Sequence, residues 1–298
     1  MRPICYMLWK WRRDDASCQH DWIMYNKPDA LVRFVGADDT VVRGCRFKNS
    51  GGNGLRFDLH ARRGRVEGCE FGPLGIAGII LCGYGPGTRD VNGHHTIRAN
   101  HIHHCGRVLP HGIGIFVWQS GHNVVRENHV EHMPYTGICV SGVRPEFFLG
   151  RRHLREGGRT VRWQEIAQTP RSYRESLPYL HARENLVEDN DVHNCMERLG
   201  DGNGIYVSGA GTGNIMRRNF VHDIRGAGAQ SGIRIDDHQE GILIAENTVV
   251  RCTGGGITLK HENDIIGNTI ADLLPTKRGA EMQPPDGYIL LRRGPVAR

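Results

Sequence analysis

A two-part repeat recurs eight times along this chain, and it limits the folds that the chain can adopt. The second part of the repeat is a short run that opens with Gly and an apolar residue, as in GLRFD, GIFVW and GIRID. The first part is an apolar pattern around Cys or Asn, as in VVRGCRF, VVRENHV and LIAENTV, and its centres are Cys45, Cys69, Asn100, Asn128, Asn190, Asn219, Asn247 and Asn268. Most centres are about 21 to 31 residues apart, the length of one solenoid coil.

Such a coil buries its apolar residues only against the coils beside it. If parallel strands stack at about 4.8 Å, the recurrent Asn side chains lie above one another and can form a hydrogen-bonded ladder. A run of βαβ units is the competing fold, but no segment between the strands has a sustained helical period. The 40 glycines among 298 residues agree with many turns. The sequence therefore predicts an all-β, single-domain right-handed parallel β-helix (solenoid) of about eight coils.

One interval between repeats is twice the usual length. It separates Asn128 from Asn190, and its surplus is a basic segment at 142–184, which we expect to be an inserted loop. Residues 1–30 are predicted to be an N-terminal capping segment and 31–298 to be the β-helix. The last strand has no evident cap, so the chain is expected to be truncated, to start at the wrong residue, or to pair with a partner.

Composition gives few indications of a partner. The net charge of +6 is compatible with an anionic polymer and equally with an ordinary enzyme, and we expect no nucleic-acid partner and no membrane span. The nine cysteines lack the spacing of a disulfide framework or a zinc finger. The cluster HIHHC at 101–105 contains zinc or copper ligands, but successive side chains diverge along a strand. We therefore expect no metal site there and no cofactor.

Alternation along the Gly-apolar strands separates core from surface. We expect two inward columns, which contain Leu55, Ile79, Ile115, Ile138, Ile205, Ile233, Ile257, Tyr288 and Phe57, Leu81, Val117, Val140, Val207, Ile235, Leu259, Leu290. The outward columns contain Phe116, Trp118, Tyr206 and Arg234, which we expect to line an open groove that binds a sugar polymer. Burial beneath the inserted loop is the alternative for these aromatic residues.

Paired carboxylates are the groups that glycosidases use, and strand GIRID ends in Asp236 and Asp237. An extended path places Asp201 about 20 Å from Asp236 unless its long turn folds back. Glu197 lies midway in that turn, so we expect Glu197 and Asp236 to be the catalytic pair, with Asp201 and Asp237 as supporting acids. A salt-bridge ladder of Asp236 with Lys260 or Arg234 is the structural alternative.

Two further roles are open for residues near Asp236. His238 and Lys260 are predicted to contact substrate together with Arg234. Calcium held by Asp236, Asp237 and Glu262 is possible, since carboxylate oxygens are its usual ligands.

Longer phrases of the sequence resemble a known group of proteins. FDLHA, LCGYGPGTRDVN, FVWQSGHN, PYTGICVSGVRP and GIRIDDHQ look like the right-handed β-helix proteins of the pectate-lyase-like superfamily, and most like the branch around glycoside hydrolase family 141. The likeness runs from about residue 31 to 291. It implies action on fucosyl or xylan linkages of a plant or algal polysaccharide, with the acidic pair on the turn and strand that here contain Glu197 and Asp236.

We therefore expect a carbohydrate-active enzyme that hydrolyses glycosidic bonds of a polysaccharide or oligosaccharide. A polysaccharide lyase is the first alternative, in which Arg234 neutralises a uronate and Lys260 or His238 removes the C5 proton. A non-catalytic glycan-binding or structural β-helix is the second. The resemblance implies an extracellular or periplasmic location, although residues 1–30 contain no signal-like apolar run.

Overall fold

Each repeat folds as one coil of three short strands, and successive coils stack to form three parallel sheets. The computed structural model describes residues 29–84, 87–143, 165–166, 168–226, 228, 230–278, 281–285 and 287–292. Residues 1–28 of the predicted cap at 1–30 and much of the predicted insertion at 142–184 lie outside these residues.

The Gly-apolar runs form sheet A. Its strands, in spatial order, are β1 (Ala30–Asp38), β4 (Asn53–Arg62), β7 (Ile79–Cys82), β11 (Ile115–Trp118), β14 (Ile138–Ser141), β17 (Asn203–Ser208), β20 (Ser231–Asp236), β23 (Gly255–Lys260) and β28 (Gly287–Arg292), with β8 (Asn92–Gly93) beside β4.

The apolar residues before each Cys or Asn centre form sheet B. Its strands are β2 (Val41–Arg43), β5 (Arg65–Glu67), β9 (Thr96–Arg98), β12 (Val124–Arg126), β15 (Leu186–Glu188), β18 (Ile215–Arg217), β21 (Leu243–Ala245) and β24 (Asp264–Ile266).

The residues after each centre form sheet C. Its strands are β3 (Arg46–Phe47), β6 (Glu70–Phe71), β10 (His101–His103), β13 (His129–Glu131), β16 (Asp191–His193), β19 (Phe220–His222), β22 (Thr248–Val250) and β25 (Thr269–Ala271). The predicted right-handed β-helix is confirmed. Sheets B and C each have eight strands, as expected, whereas sheet A gains β1, which lacks the opening glycine of the repeat.

Steric contacts explain why the Gly-apolar strands of sheet A open with glycine. A Cβ atom on Gly114 would lie 2.6 Å from the carbonyl oxygen of Gly137 in the next coil and 2.6 Å from Val130 of sheet C. Real side chains do not approach so closely. The sharp passage from sheet C to sheet A therefore requires glycine at this position.

The predicted Asn ladder is present at the turn between sheets B and C. Each side-chain amide donates to the Oδ1 atom of the next Asn, with distances of 2.9 Å from Asn100 to Asn128 and 3.0 Å from Asn128 to Asn190. The second hydrogen of each amide goes to a backbone carbonyl, such as that of Val125 for Asn190. Each buried amide is thus satisfied, as burial requires.

A second ladder, which the repeat pattern did not predict, lies between sheets A and B. Asn123 donates to Asn185 over 2.8 Å, and Asn185 donates to Asn214 over 2.9 Å. The sequence signal is the Asn directly before an apolar strand, as in HNVV, ENLV and GNIM.

The inward columns of sheet A form the core as predicted, except in the last coil. Gly255 pairs with Gly287, so Ile257 is next to Ile289. The predicted inward position of Tyr288, which requires Gly256 to align with Gly287, is therefore wrong, and Tyr288 is 60% exposed. Two consecutive glycines offer either register, and the structure adopts the first.

Two shorter features complete the described chain. Helix α1 (Tyr173–Ser176) and a 3-10 turn (Leu177–Tyr179) lie near the end of the predicted insertion, and β26 (Thr276–Arg278) and β27 (Glu281–Gln283) form an antiparallel pair. The hydroxyl of Tyr173 donates to the carbonyl of Ala210, which fixes α1 against the turn after β17. No helix among the described residues has both the length and the apolar character needed to span a membrane.

Candidate active site

The candidate site is built on β20. Alternation sends Ile233 and Ile235 into the core, where both are fully buried, and sends Arg234 and Asp236 to the outer face. The strand ends at Asp236, because Asp237 adopts a left-handed conformation with φ of 53°. The two neighbouring acids therefore occupy different positions, the first on the sheet and the second in the turn.

Asp236 is the most heavily bonded carboxylate of the site. Its Oδ2 atom lies 2.8 Å from Nη2 of Arg234 and accepts from the Tyr206 hydroxyl over 3.2 Å. Its Oδ1 atom accepts from Lys260 and, over 2.7 Å, from the backbone N–H of Asp237. Burial alone would raise the pKa of Asp236, but the charge of Arg234 and the hydrogen bond from Lys260 outweigh it and hold the pKa at about 2.

Arg234 also reaches the turn before β17. Its Nη1 atom lies 3.5 Å from Oδ1 of Asp201. Because both carboxylates bind one planar guanidinium, their nearest oxygens are less than about 9 Å apart, which is below the upper limit of about 9.5 Å for glycosidase pairs. The long turn does fold back, and this removes the separation of about 20 Å that an extended path implies.

Glu197, the predicted partner, lies elsewhere. Its carboxylate is 2.8 Å from Nδ1 of His132, beside sheet C, and the structure does not bring it to Asp236. The reason is its place in the turn, whose first residues follow β16 of sheet C whereas its last residues enter β17 of sheet A. Asp201 is at the sheet A end, and Glu197 is not.

The predicted open aromatic groove is wrong. Phe116 and Trp118 are at most 1% exposed, and Tyr206 is 5% exposed. The indole N–H of Trp118 donates to the backbone carbonyl of Gly142, directly after β14, over 3.2 Å. Of the three rings, only Tyr206 contacts the site, through its hydroxyl group.

The remaining predicted site residues differ in how close they lie to Asp236. Lys260 is its direct neighbour in the next coil, and the carboxylate of Asp237 accepts from the Ser208 hydroxyl, a residue that sequence reasoning did not select. The register that places Ser208 beside Asp236 was the available signal. His238 lies next to His261, with ring centroids 5.1 Å apart, and the structure gives it no contact with Asp236.

The three acids proposed for calcium do not converge in the described structure. Glu262 is largely exposed and lies 3.8 Å from Arg174. The oxygens of Asp236 are already bound by two cationic side chains, so a calcium ion there would be repelled by both.

A related cluster lies five coils away in the same column. Asp58 binds Arg56 over 3.0 Å and the Nε atom of Arg33 over 2.6 Å. The phrases LRFD and IRID thus place an Arg and an Asp in the same relation twice. Asp58 and Arg56 are buried and Arg33 is partly exposed, whereas in the second cluster both Arg234 and Lys260 retain partial access to solvent.

Several solved structures share the fold at low sequence identity. A glycoside hydrolase is 17% identical with a TM-score of 0.51, over 90% of this chain and 39% of its own. The tailspike protein of E. coli bacteriophage HK620, solved with a pentasaccharide, is 12% identical with a TM-score of 0.56, over 90% and 43%. The A-module of an Azotobacter vinelandii mannuronan C-5 epimerase is 12% identical with a TM-score of 0.51, over 86% and 62%.

This chain therefore spans less than two thirds of the length of each of these proteins, and the likeness shows the fold. A comparison with curated protein sequences gave no significant match. The family model described as "Right handed beta helix region" matches residues 24–147 and 176–270. Since these residues are more than half of the chain, the protein belongs to the right-handed beta helix family.

Proposed function

We propose that this protein is a carbohydrate-active enzyme that hydrolyses glycosidic bonds of a polysaccharide, with Asp236 and Asp201 as its carboxylate pair. The observation that carries the proposal is the shared guanidinium of Arg234, which brings two carboxylates from successive coils to within the upper limit of separation for glycosidase pairs. A purely structural ion pair would need only one of them.

The environments of the two acids support different roles. Asp236, with a pKa of about 2, is ionised at any ordinary pH and suits the nucleophile or the base. Asp201 lies at the exposed rim of the site, and we assign it the role of the acid that protonates the leaving oxygen. Asp237 is a positioning residue, because its backbone N–H donates to Asp236.

Substrate contacts follow from the same geometry. Arg234, Lys260 and the Tyr206 hydroxyl surround Asp236 with hydrogen-bond donors that match sugar hydroxyl groups. Phe116 and Trp118 support the sheet from buried positions and are assigned no contact. The similar solved proteins include one named as a glycoside hydrolase and one bound to a pentasaccharide, which agrees with a glycan substrate.

A lyase reaction is the second candidate, and one observation favours it. Arg234 and Lys260 place two cationic groups on one carboxylate, and a uronate carboxylate could take the place of Asp236 on either of them. Lys260 or His238 would then remove the C5 proton. One similar structure is a mannuronan epimerase module, named for chemistry at C5.

The nature of the products tests the proposal. Purified protein is incubated with a panel of neutral and uronate-containing polysaccharides, and both new reducing ends and unsaturated sugars are measured. We expect reducing ends without unsaturated sugar, and loss of this activity in Asp236→Asn. Unsaturated products would show that the protein is a lyase and not a hydrolase. Binding without any product would show that it is a non-catalytic glycan-binding protein.

A further inference from the structure

The outer face of sheet C carries an unusual concentration of imidazole and carboxylate groups. Consecutive strands place them in register, since His101 pairs with His129, which pairs with Asp191, and one row further Glu131 pairs with His193, which pairs with His222. We call these side chains the imidazole face: His101, His103, His129, Glu131, Asp191, His193 and His222. This face is distinct from the site on sheet A.

Donor atoms converge at the centre of this face. The Nε2 atoms of His129 and His193 are 2.8 Å apart. The Oε2 atom of Glu131 is 4.0 Å from the first and 3.8 Å from the second. Asp191 also belongs here, because one ligand atom each of His129, Asp191 and His193 lie within 4.8 Å of one another.

The donor separations range from 2.8 Å between the two imidazole nitrogens, a distance that also suits a hydrogen bond, to 4.0 Å between His129 and Glu131. Ligands about 2.0 to 2.2 Å from a tetrahedral zinc ion are about 3.4 Å from one another, which lies between these two values. Two imidazole nitrogens that face each other can form only one hydrogen bond, and only if one of them carries a proton. A cation between them can bind both.

Two further histidine side chains contact the carboxylate donors and orient them. His101 Nε2 lies 2.8 Å from Oε1 of Glu131, which leaves Oε2 for the other imidazoles around it, of which that of His132 is nearest at 3.5 Å. His222 Nε2 lies 3.1 Å from Oδ1 of Asp191, and the other ring nitrogen of His222 is 2.8 Å from Asp223. Metal sites in proteins commonly orient their carboxylate ligands in this way.

We propose that His129, His193 and Asp191, with Glu131 as the fourth donor, bind one divalent transition-metal ion of the zinc class. Two imidazoles and two carboxylates form a donor set that such ions accept. His129 is about half exposed, so an ion can enter from solvent. The proposal does not depend on the function of the sheet A site.

Metal titration of tag-free, metal-stripped protein tests this site. We expect one Zn²⁺ per chain by calorimetry, and intense visible bands when Co²⁺ replaces it, as tetrahedral coordination gives. His129→Ala and His193→Gln should each weaken Zn²⁺ binding by more than about 100-fold, whereas His222→Gln, behind a ligand, should weaken it by about 10-fold to 100-fold.

His94→Ala is the matched control. His94 is exposed and stacks on His122 with ring centroids 4.8 Å apart, but neither residue belongs to a three-donor group in the described chain. Zn²⁺ affinity should be unchanged in this variant, and the melting temperature of each metal-free variant shows that it is folded. Equal losses in His94→Ala and His129→Ala, or a folded His129→Ala/His193→Gln protein that binds as tightly as the wild type, would overturn the proposal.

Discussion

Asp201 and Asp236 bind the same guanidinium, that of Arg234, although they belong to successive coils of the β-helix. The contact joins the irregular turn before β17 to the regular end of β20. It gives the outer face of sheet A a pair of carboxylates with an arginine between them. This relationship leads to the first two predictions.

Replacing Arg234 by Gln should shift the pH dependence of the proposed hydrolase. The charge of Arg234 is the largest influence that lowers the pKa of Asp236, so its removal raises that pKa. We expect the acidic limb of the kcat/KM profile to move to higher pH, with a lower maximum. An acidic limb at the wild-type position would show that Asp236 is not the group titrating there.

Asp236 should also stabilise the folded chain in a pH-dependent way. Its pKa is about 2 in the folded state against an ordinary value of 3.8, and its side chain is nearly buried, so the difference corresponds to about 2 kcal/mol of stability. Because the folded pKa is the lower one, this stabilisation is present above about pH 4 and is lost as the pH falls towards 2. Melting temperatures measured across this range should fall more steeply for the wild type than for Asp236→Asn. Parallel curves would contradict the assignment.

The Asn ladder should be most sensitive at its centre. Asn190→Ala removes the acceptor of the Asn128 side chain and backbone N–H and the donor to Asn219, and it leaves buried polar groups unpaired. We expect a cost of about 3 kcal/mol in the free energy of unfolding. Asn268→Ala, at the less buried end of the ladder, should cost about 1 kcal/mol. Equal denaturant midpoints for the two variants would argue against a continuous ladder.

Trp118 should contribute to stability and not to an open sugar platform. It is 1% exposed, so Trp118→Ala should destabilise the fold by about 3 to 5 kcal/mol. Tyr288→Ala serves as the control, because Tyr288 is mostly exposed and should cost little. Thermal unfolding of both variants checks the expectation. A stable Trp118→Ala protein with weakened glycan binding would contradict this expectation and support the open aromatic groove.

The parts of the fold that repeat were predictable from sequence. A fixed period places Ile205 beside Ile233 and Asn128 beside Asn190, because each coil contributes the same position to a column. The register of the last coil was not predictable, because either Gly255 or Gly256 can be aligned as the opening residue of the strand. The second Asn ladder was not predicted, because its Asn residues lie outside the two-part repeat.

The parts that depend on irregular backbone were not predictable. Residue counts do not show where a long turn folds, so they predict too large a distance between Asp201 and Asp236 and favour Glu197 as the partner. Alternation correctly placed Phe116 and Trp118 on the outer face, but it does not show what covers that face. Similarly, the spacing within HIHHC argued against a metal, whereas the proposed donors meet across coils through register.

The choice between Asp201 and Glu197 tests the central claim most directly. Release of reducing ends from the polysaccharide that the wild type cleaves should be measured for Asp201→Asn and Glu197→Gln at equal protein concentration. The account predicts that Asp201→Asn loses at least about 100-fold in rate, since general acid–base catalysis contributes that much, while Glu197→Gln keeps wild-type activity. Full activity in Asp201→Asn with loss in Glu197→Gln would contradict the proposed site.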